Sequence, residues 1–181
     1  RRSSDLNGEL TSLNLSKGFS LDLDKFSNLE VVRLGLGWKG NKSGPNIDLD
    51  ASAILLDKNG LVTCPKDVVF YNALDTGKGV RSMGDNKVGS FDDNEGDDEE
   101  IITELNKIPD YVESILFIVT IHQAKEKHLN FGMIEEAYIR CINNETGEEI
   151  ARYSMSDEFA LQTALEIGRL VRTKRGWEFQ A

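Results

Sequence analysis

The sequence predicts an all-β protein, a β-sandwich of two mainly antiparallel sheets with one or two short helices. Many short segments alternate apolar and polar residues, which is the pattern of a half-buried strand. Turn-forming residues separate these segments at frequent intervals. No long amphipathic segment lies between the predicted strands, as an α/β fold would require.

Five segments in the first two-thirds of the chain carry the strand signal. Residues 19–23, 32–38 and 101–105 alternate apolar and polar side chains, so each is predicted to bury one face. Residues 53–56 and 115–121 are continuous aliphatic runs. Such runs are typical of central strands that are covered on both faces.

The C-terminal third of the chain is predicted to consist of hairpins. Strands at residues 138–142 and 150–155 flank a glycine-containing turn. The dipeptide Arg175-Gly176 can turn the chain before a last strand at residues 177–180.

Three segments bear on the helix content. Residues 160–171 fit a helix by composition and a strand by alternation, and Gly168 favours the strand. Helix is expected only in residues 109–113, after a proline start, and in residues 123–128. The predicted fold is therefore almost free of helix.

The composition restricts the class of protein. At 181 residues, of which 39% are hydrophobic, the chain suits a single domain at residues 13–181 after a flexible segment at residues 1–12. The formal net charge of −10 argues against a nucleic-acid partner, which would require a basic surface. No apolar run is long enough to span a membrane, and the first residues lack the apolar core of a signal peptide. A cytoplasmic location is predicted.

Neither the cysteines nor the histidines form a catalytic or metal-binding motif. Cys64 and Cys141 lie far apart, without a CxxC or Cys/His spacing, and we expect both to be buried thiols. His122 and His128 are six residues apart, which is not the helical spacing of a metal-binding pair. No catalytic signature can therefore be read from these residues.

The most informative segment is the acidic run between Gly84 and Glu100. It contains eight carboxylates and one lysine, so it carries −7 of the net charge of −10. Carboxylates this close together raise one another's pKa unless a cation or open solvent relieves the repulsion. The run is therefore either a metal site or a solvated loop. Its glycines do not fall in the register of an EF-hand.

A second acidic cluster is the pair Asp48 and Asp50, at the start of a predicted strand. Alternate residues of a strand point to the same face, about 7 Å apart along the backbone. Calcium is bound by carboxylate and carbonyl oxygens, so a pair of this kind suits a hard divalent ion. An ordinary exposed strand end is the alternative, and Asp22 and Asp24 show the same spacing without a glycine loop.

Several motifs of seven to nine residues follow one another along the chain. They are VVRLGLGW from Val31, DLDASAILL from Asp48, VVFYNAL from Val68, ILFIVTIH from Ile115 and AYIRCIN from Ala137. The shorter motifs GDN, at Gly84, and GDDE, at Gly96, lie between them. In this order the motifs resemble the TerD family of tellurium-resistance and general stress proteins, over about residues 13–181.

The resemblance implies a calcium-binding β-sandwich whose acidic loops gather at one end. It also implies a role in resistance to tellurite or other chemical stress, with protein partners in a stress-response complex and without catalysis. The spacer at residues 90–95 is longer than in the family pattern, so its carboxylates are not carried over. The calcium ligands implied by the motifs are Asp48, Asp50, Asp85, Asn86, Asp97, Asp98 and Glu99.

Two other functions remain as alternatives. A metal-dependent hydrolase could use the same carboxylates, because two-metal phosphoryl-transfer sites also rely on Asp clusters. Such an enzyme also needs cations to hold the substrate phosphate, and near the acidic run the sequence has little beyond Arg81 and Lys87. Some relatives that resemble TerD bind cyclic nucleotides, but no phosphate-binding motif supports that function in this chain.

Overall fold

The computed structural model describes residues 13–14, 16–26, 28–40, 43–84, 96–155 and 159–181. These ranges contain twelve β-strands, one short α-helix (α1, Ala124–Lys127) and four single-turn 3-10 helices, which confirms the predicted all-β class. The segment predicted to be flexible, residues 1–12, lies outside the described residues. The strands are β1 (Leu13–Asn14), β2 (Ser20–Asp22), β3 (Val31–Gly40), β4 (Leu49–Leu56), β5 (Val68–Val69), β6 (Val80–Ser82), β7 (Glu99–Glu104), β8 (Ser114–Ile121), β9 (Ile134–Asn143), β10 (Glu149–Ser154), β11 (Ala164–Arg172) and β12 (Trp177–Gln180).

The strands form two six-stranded sheets. The first sheet has the order β1-β10-β9-β3-β7-β6, and the second has the order β2-β12-β11-β8-β4-β5. Neighbouring strands are antiparallel except β1 and β10, which are parallel. Consecutive strands such as β3 and β4 belong to different sheets, so the chain crosses the end of the sandwich between them.

The hydrophobic core lies between the two sheets. On β3 the buried side chains of Leu34, Leu36 and Trp38 point into it, and the residues between them therefore face outwards. Along β8 the side chains alternate strictly between buried and half-buried. The prediction that residues 115–121 form a central strand is confirmed, because β8 lies between β4 and β11. The outer face of β8 is only partly covered, because its outward side chains are half-buried.

The helix predicted at residues 109–113 is a turn. Val112 donates a backbone hydrogen bond to the carbonyl of Pro109 over 3.0 Å and is itself fully buried. The Arg172 guanidinium donates hydrogen bonds to the carbonyls of Val112 (2.9 Å) and Pro109 (3.0 Å). A side chain from β11 thus satisfies the carbonyls that a helix would have used.

The predictions for the other two segments that bear on the helix content are confirmed. The helix expected at residues 123–128 is present as α1, and residues 164–172 form β11 rather than a helix. Gly168 lies at a register shift between β11 and β8. None of the helices in the described part of the chain is long and apolar enough to cross a membrane.

An ion pair with a buried carboxylate connects three loops at the β5 edge of the second sheet. The Asp67 carboxylate is fully buried and lies 2.5 Å from the ammonium of Lys78. Tyr111 donates a hydrogen bond to the same carboxylate over 2.7 Å, and Lys78 also lies 3.2 Å from the Cys64 sulfur. Cys64 is half-buried, so the expectation of two buried thiols holds only for Cys141.

Candidate metal centre

The first part of the predicted site is the start of β4. Asp50 is 7% exposed, and its carboxylate lies 3.4 Å from Nδ1 of His122, the residue that follows β8. Asp50 alternates with the inward-facing Leu49 and Ala51, so it lies on the outer face of the second sheet. Asp48 precedes the strand, and its carbonyl accepts a hydrogen bond from the backbone of His122 over 2.8 Å.

Glu99 brings the acidic run to this strand. It is the first residue of β7, in the first sheet, and it is 5% exposed. Its Oε2 accepts a hydrogen bond of 2.7 Å from the backbone N–H of Ala51, in the second sheet. The Glu99 carboxylate therefore lies at the backbone of the residue that follows Asp50.

Asp98 binds the end of β3. Its backbone N–H donates to the carbonyl of Leu36 over 2.8 Å, and its Oδ2 accepts from the backbone N–H of Trp38 over 2.9 Å. The indole of Trp38 donates in turn to the carbonyl of Ile47 over 3.1 Å. The Asp98 side chain thus extends the β3–β7 ladder beyond the start of β7.

Asp97 lies on the opposite side of the first sheet. Its side chain is fully buried, and its two oxygens accept from Nε of Arg140 over 2.7 and 3.0 Å. The Tyr138 hydroxyl donates to the same carboxylate over 3.2 Å. Burial, followed by the negative charge of Asp97, raises the pKa of Tyr138 above its ordinary value of 10.0.

Two glycines of β3 make room for this cluster. A Cβ at Gly35 would overlap the Asp97 carboxylate, and a Cβ at Gly37 would overlap the ring of Tyr138. In the β3–β9 register Gly35 is opposite Arg140 and Gly37 is opposite Tyr138. The segment LGLG therefore has one apolar face, and at Gly35 and Gly37 its opposite face has no side chains.

The predicted ligands are only partly brought together. Glu99 binds the backbone of Ala51 on β4, whereas Asp97 points away from the second sheet. Asp85 and Asn86 lie outside the described residues. Within the described ranges, no three carboxylate, His or Cys side chains converge closely enough to hold a metal ion.

Sequence analysis missed the partners of the carboxylates. Arg140 and Tyr138 belong to the motif AYIRCIN, which predicts a strand and supports the family resemblance but does not by itself point to an ion pair. Their alternate spacing on β9 and the matching glycines of β3 are the signal that places them on one outer face. The sequence alone does not show which acidic residue they bind.

Comparison with known proteins identifies the family. The TerD domain profile matches residues 11–181. The chain belongs to the TerD family. Its relatives include general stress protein 16U of Bacillus subtilis (strain 168), which is 40% identical over 174 residues, with 94% of this chain and 89% of that protein covered.

A second relative is the tellurium resistance protein TerD of Serratia marcescens, which is 39% identical over 173 residues, with 94% of this chain and 88% of that protein covered. Among solved structures, a homologue of telluride resistance protein (TerD) from Streptomyces coelicolor A3(2) superposes with a TM-score of 0.66. The two chains are 20% identical, and the match covers 84% of this chain and 88% of that one. At this identity the superposition supports the fold alone.

The donor chemistry at β4 fits a hard cation. The carboxylates of Asp48, Asp50 and Glu99 supply oxygen atoms only, which is the ligand type that calcium and magnesium select. Calcium needs six to eight oxygen ligands, so further oxygens would come from the acidic run, carbonyls and water. The membership of the TerD family places the protein among tellurium-resistance and stress proteins.

Proposed function

We propose that this TerD-family protein is a calcium-binding stress-response module that acts by binding an ion and protein partners rather than by catalysis. The ligands at the start of β4 are Asp48 and Asp50, and Glu99 and Asp98 approach from β7. Asp85 and Asn86 are proposed as ligands from the part of the acidic run that lies outside the described residues.

One contact carries the proposal. The bond from Ala51 to Glu99 brings a carboxylate of the first sheet to the acidic start of β4 in the second sheet. Asp50 and Glu99 are both nearly inaccessible to solvent, and each buried carboxylate is costly unless a cation or a hydrogen-bond donor compensates it. A divalent cation that prefers oxygen ligands, such as calcium, can compensate these carboxylates.

Calcium is expected to raise the melting temperature of the protein. A ligand that binds only the folded state stabilises it by about 2.7 kcal/mol at a hundredfold excess over Kd. Asp50→Asn should weaken this effect, and it should also raise the melting temperature of the metal-free protein or leave it unchanged, because it removes one repelling charge. Magnesium should stabilise less, since it requires tighter octahedral geometry and loses its waters reluctantly. Differential scanning calorimetry with and without each ion measures these effects.

Asp110→Asn is the matched control for the calcium experiment. Asp110 is exposed in the loop before Ser114, which pairs with Leu56 at the end of β4 opposite to Asp50. Asp110→Asn removes one negative charge, as Asp50→Asn does, and should leave the effect of calcium on the melting temperature unchanged. If millimolar calcium does not shift the melting temperature of the unmodified protein, the acidic run is a solvated charged surface and the proposal is rejected.

The two cations that the sequence offers to a hydrolase, Arg81 and Lys87, give that alternative little support. Arg81 is engaged in an ion pair of 3.1 Å with Glu104, and Lys87 lies outside the described residues. A substrate phosphate would therefore have to displace the Glu104 carboxylate from Arg81. The cytoplasmic location and the protein partners remain predictions from the sequence and the family.

A further inference from the structure

We propose that Asp97 is a positioning residue that clamps the start of β7 and does not ligate calcium. The inference rests on the proposed calcium function. Asp97, Asp98 and Glu99 are consecutive acidic residues, and the resemblance to the family implies that all three are calcium ligands. Each of them is anchored to a different strand.

The faces of the two sheets separate Asp97 from the β4 carboxylates. Asp97 covers Gly35 on the outer face of the first sheet, whereas Asp50 lies on the outer face of the second sheet. Packed sheets are about 10 Å apart. Two oxygens on one calcium ion lie at most about 5 Å apart, because each is 2.3–2.6 Å from the ion. Asp97 and Asp50 therefore cannot share an ion.

The cation that compensates Asp97 belongs to the protein itself. Arg140 contacts both oxygens of the carboxylate, and its guanidinium also lies 3.3 Å from Glu149. Arg152 binds the same Glu149 over 2.9 Å and stacks 4.2 Å above the ring of Tyr138. This network joins β9 and β10 to the start of β7, so Arg140 is held in place from both sides.

The contacts of Asp97 help to hold Glu99 in position. Asp98 is fixed to β3 by two hydrogen bonds, and Glu99 follows it and reaches across to Ala51 on β4. Asp97 fixes the other end of this short segment. Outer-shell contacts of this kind orient metal ligands, and their loss typically weakens metal binding or activity by 10- to 100-fold.

Calorimetric calcium titration of Asp97→Asn and Arg140→Gln separates a clamp from a ligand. If Asp97 is a clamp, both variants lose one side of the same contact and both should bind calcium about 10-fold more weakly or worse. The double variant should then be no weaker than the weaker of the two single variants. If Asp97 is a ligand, Arg140→Gln removes a competing cation and should strengthen calcium binding.

Two further variants keep the test decisive. Arg33→Gln removes another outer-face arginine, which lies 2.8 Å from Glu100 on the same sheet, and it should leave calcium affinity unchanged. Tyr138→Phe removes only the hydroxyl that contacts Asp97 and keeps the ring over Gly37. If Arg140→Gln does not fold, Tyr138→Phe takes its place in the titration, and it should also weaken calcium binding.

The outcomes distinguish this inference from the proposed function. Stronger calcium binding in Arg140→Gln, unchanged binding in Tyr138→Phe, or independent additive losses in the double variant would each overturn the clamp while leaving calcium binding intact. A complete lack of calcium binding by the unmodified protein would instead reject the proposed function.

Discussion

Replacing Asp67 by Asn is expected to lower the free energy of unfolding by about 3 to 5 kcal/mol, because an amide accepts fewer of the hydrogen bonds that converge on the buried carboxylate, and hydrogen bonds to a charged group contribute about 1.5 to 3 kcal/mol each. The carboxylate is fully buried, and Lys78, Thr63 and Tyr111 donate to it over 2.5, 2.5 and 2.7 Å. Backbone N–H groups of Thr63 and Cys64 also point to it, over 3.3 and 3.2 Å. Urea denaturation of both proteins measures the loss.

The same residue predicts a pH dependence of stability. Burial alone would raise the pKa of Asp67, but the hydrogen bonds from Lys78, Thr63 and Tyr111 outweigh it and hold the pKa well below the ordinary value of 3.8. The contribution of the carboxylate to stability is therefore present above the unfolded pKa and is lost as the pH falls towards the lower folded pKa. The difference in stability between the unmodified protein and Asp67→Asn should shrink in that acidic range.

An exposed ion pair supplies the control for Asp67. Glu166 and Arg169 are in contact on β11, where their side chains are 47% and 38% exposed. Glu166→Gln should cost no more than about 1 kcal/mol, because solvent screens exposed pairs. Equal losses in Asp67→Asn and Glu166→Gln would mean that burial adds nothing to the Asp67 pair.

Phe117→Ala should cost about 3 to 5 kcal/mol of stability without changing calcium stoichiometry. Phe117 is 1% exposed at the centre of β8, opposite Ala53 on β4 and Gly168 on β11. Truncation of a buried phenylalanine removes apolar contacts and leaves a cavity between the sheets. The unfolding midpoint and a calcium titration report the two properties separately.

The neighbouring residue on β8 provides a matched comparison. Ile118 faces outwards and is half-buried, so Ile118→Ala should cost clearly less than Phe117→Ala. If the order of the two losses were reversed, the side chains of β8 would have to point the other way, and the register of β8 with β4 would be wrong.

Much of the fold follows from the sequence alone. Alternation of apolar and polar residues predicts strands because a strand exposes successive side chains to opposite faces. This local rule correctly marks β3 and β7, whereas β8 is marked by its continuous aliphatic run. Alternation also identifies β11 despite its helix-like composition. The helix predicted from the proline at residues 109–113 is wrong, because local residue types do not reveal that Arg172 donates hydrogen bonds to the carbonyls of this turn.

The sequence by itself determined the class of fold, the family and the position of the acidic run, because these depend on local patterns and on motif order. Only the tertiary structure decided what each acidic residue contacts. Asp97 and Glu99 are two residues apart, yet one pairs with Arg140 on β9 and the other binds the backbone of β4. Asp67 meets Lys78 in the same way, across a loop. The position of a charged residue in the sequence does not show which strand it will contact. That contact depends on the register of the strands and on how the two sheets pack together.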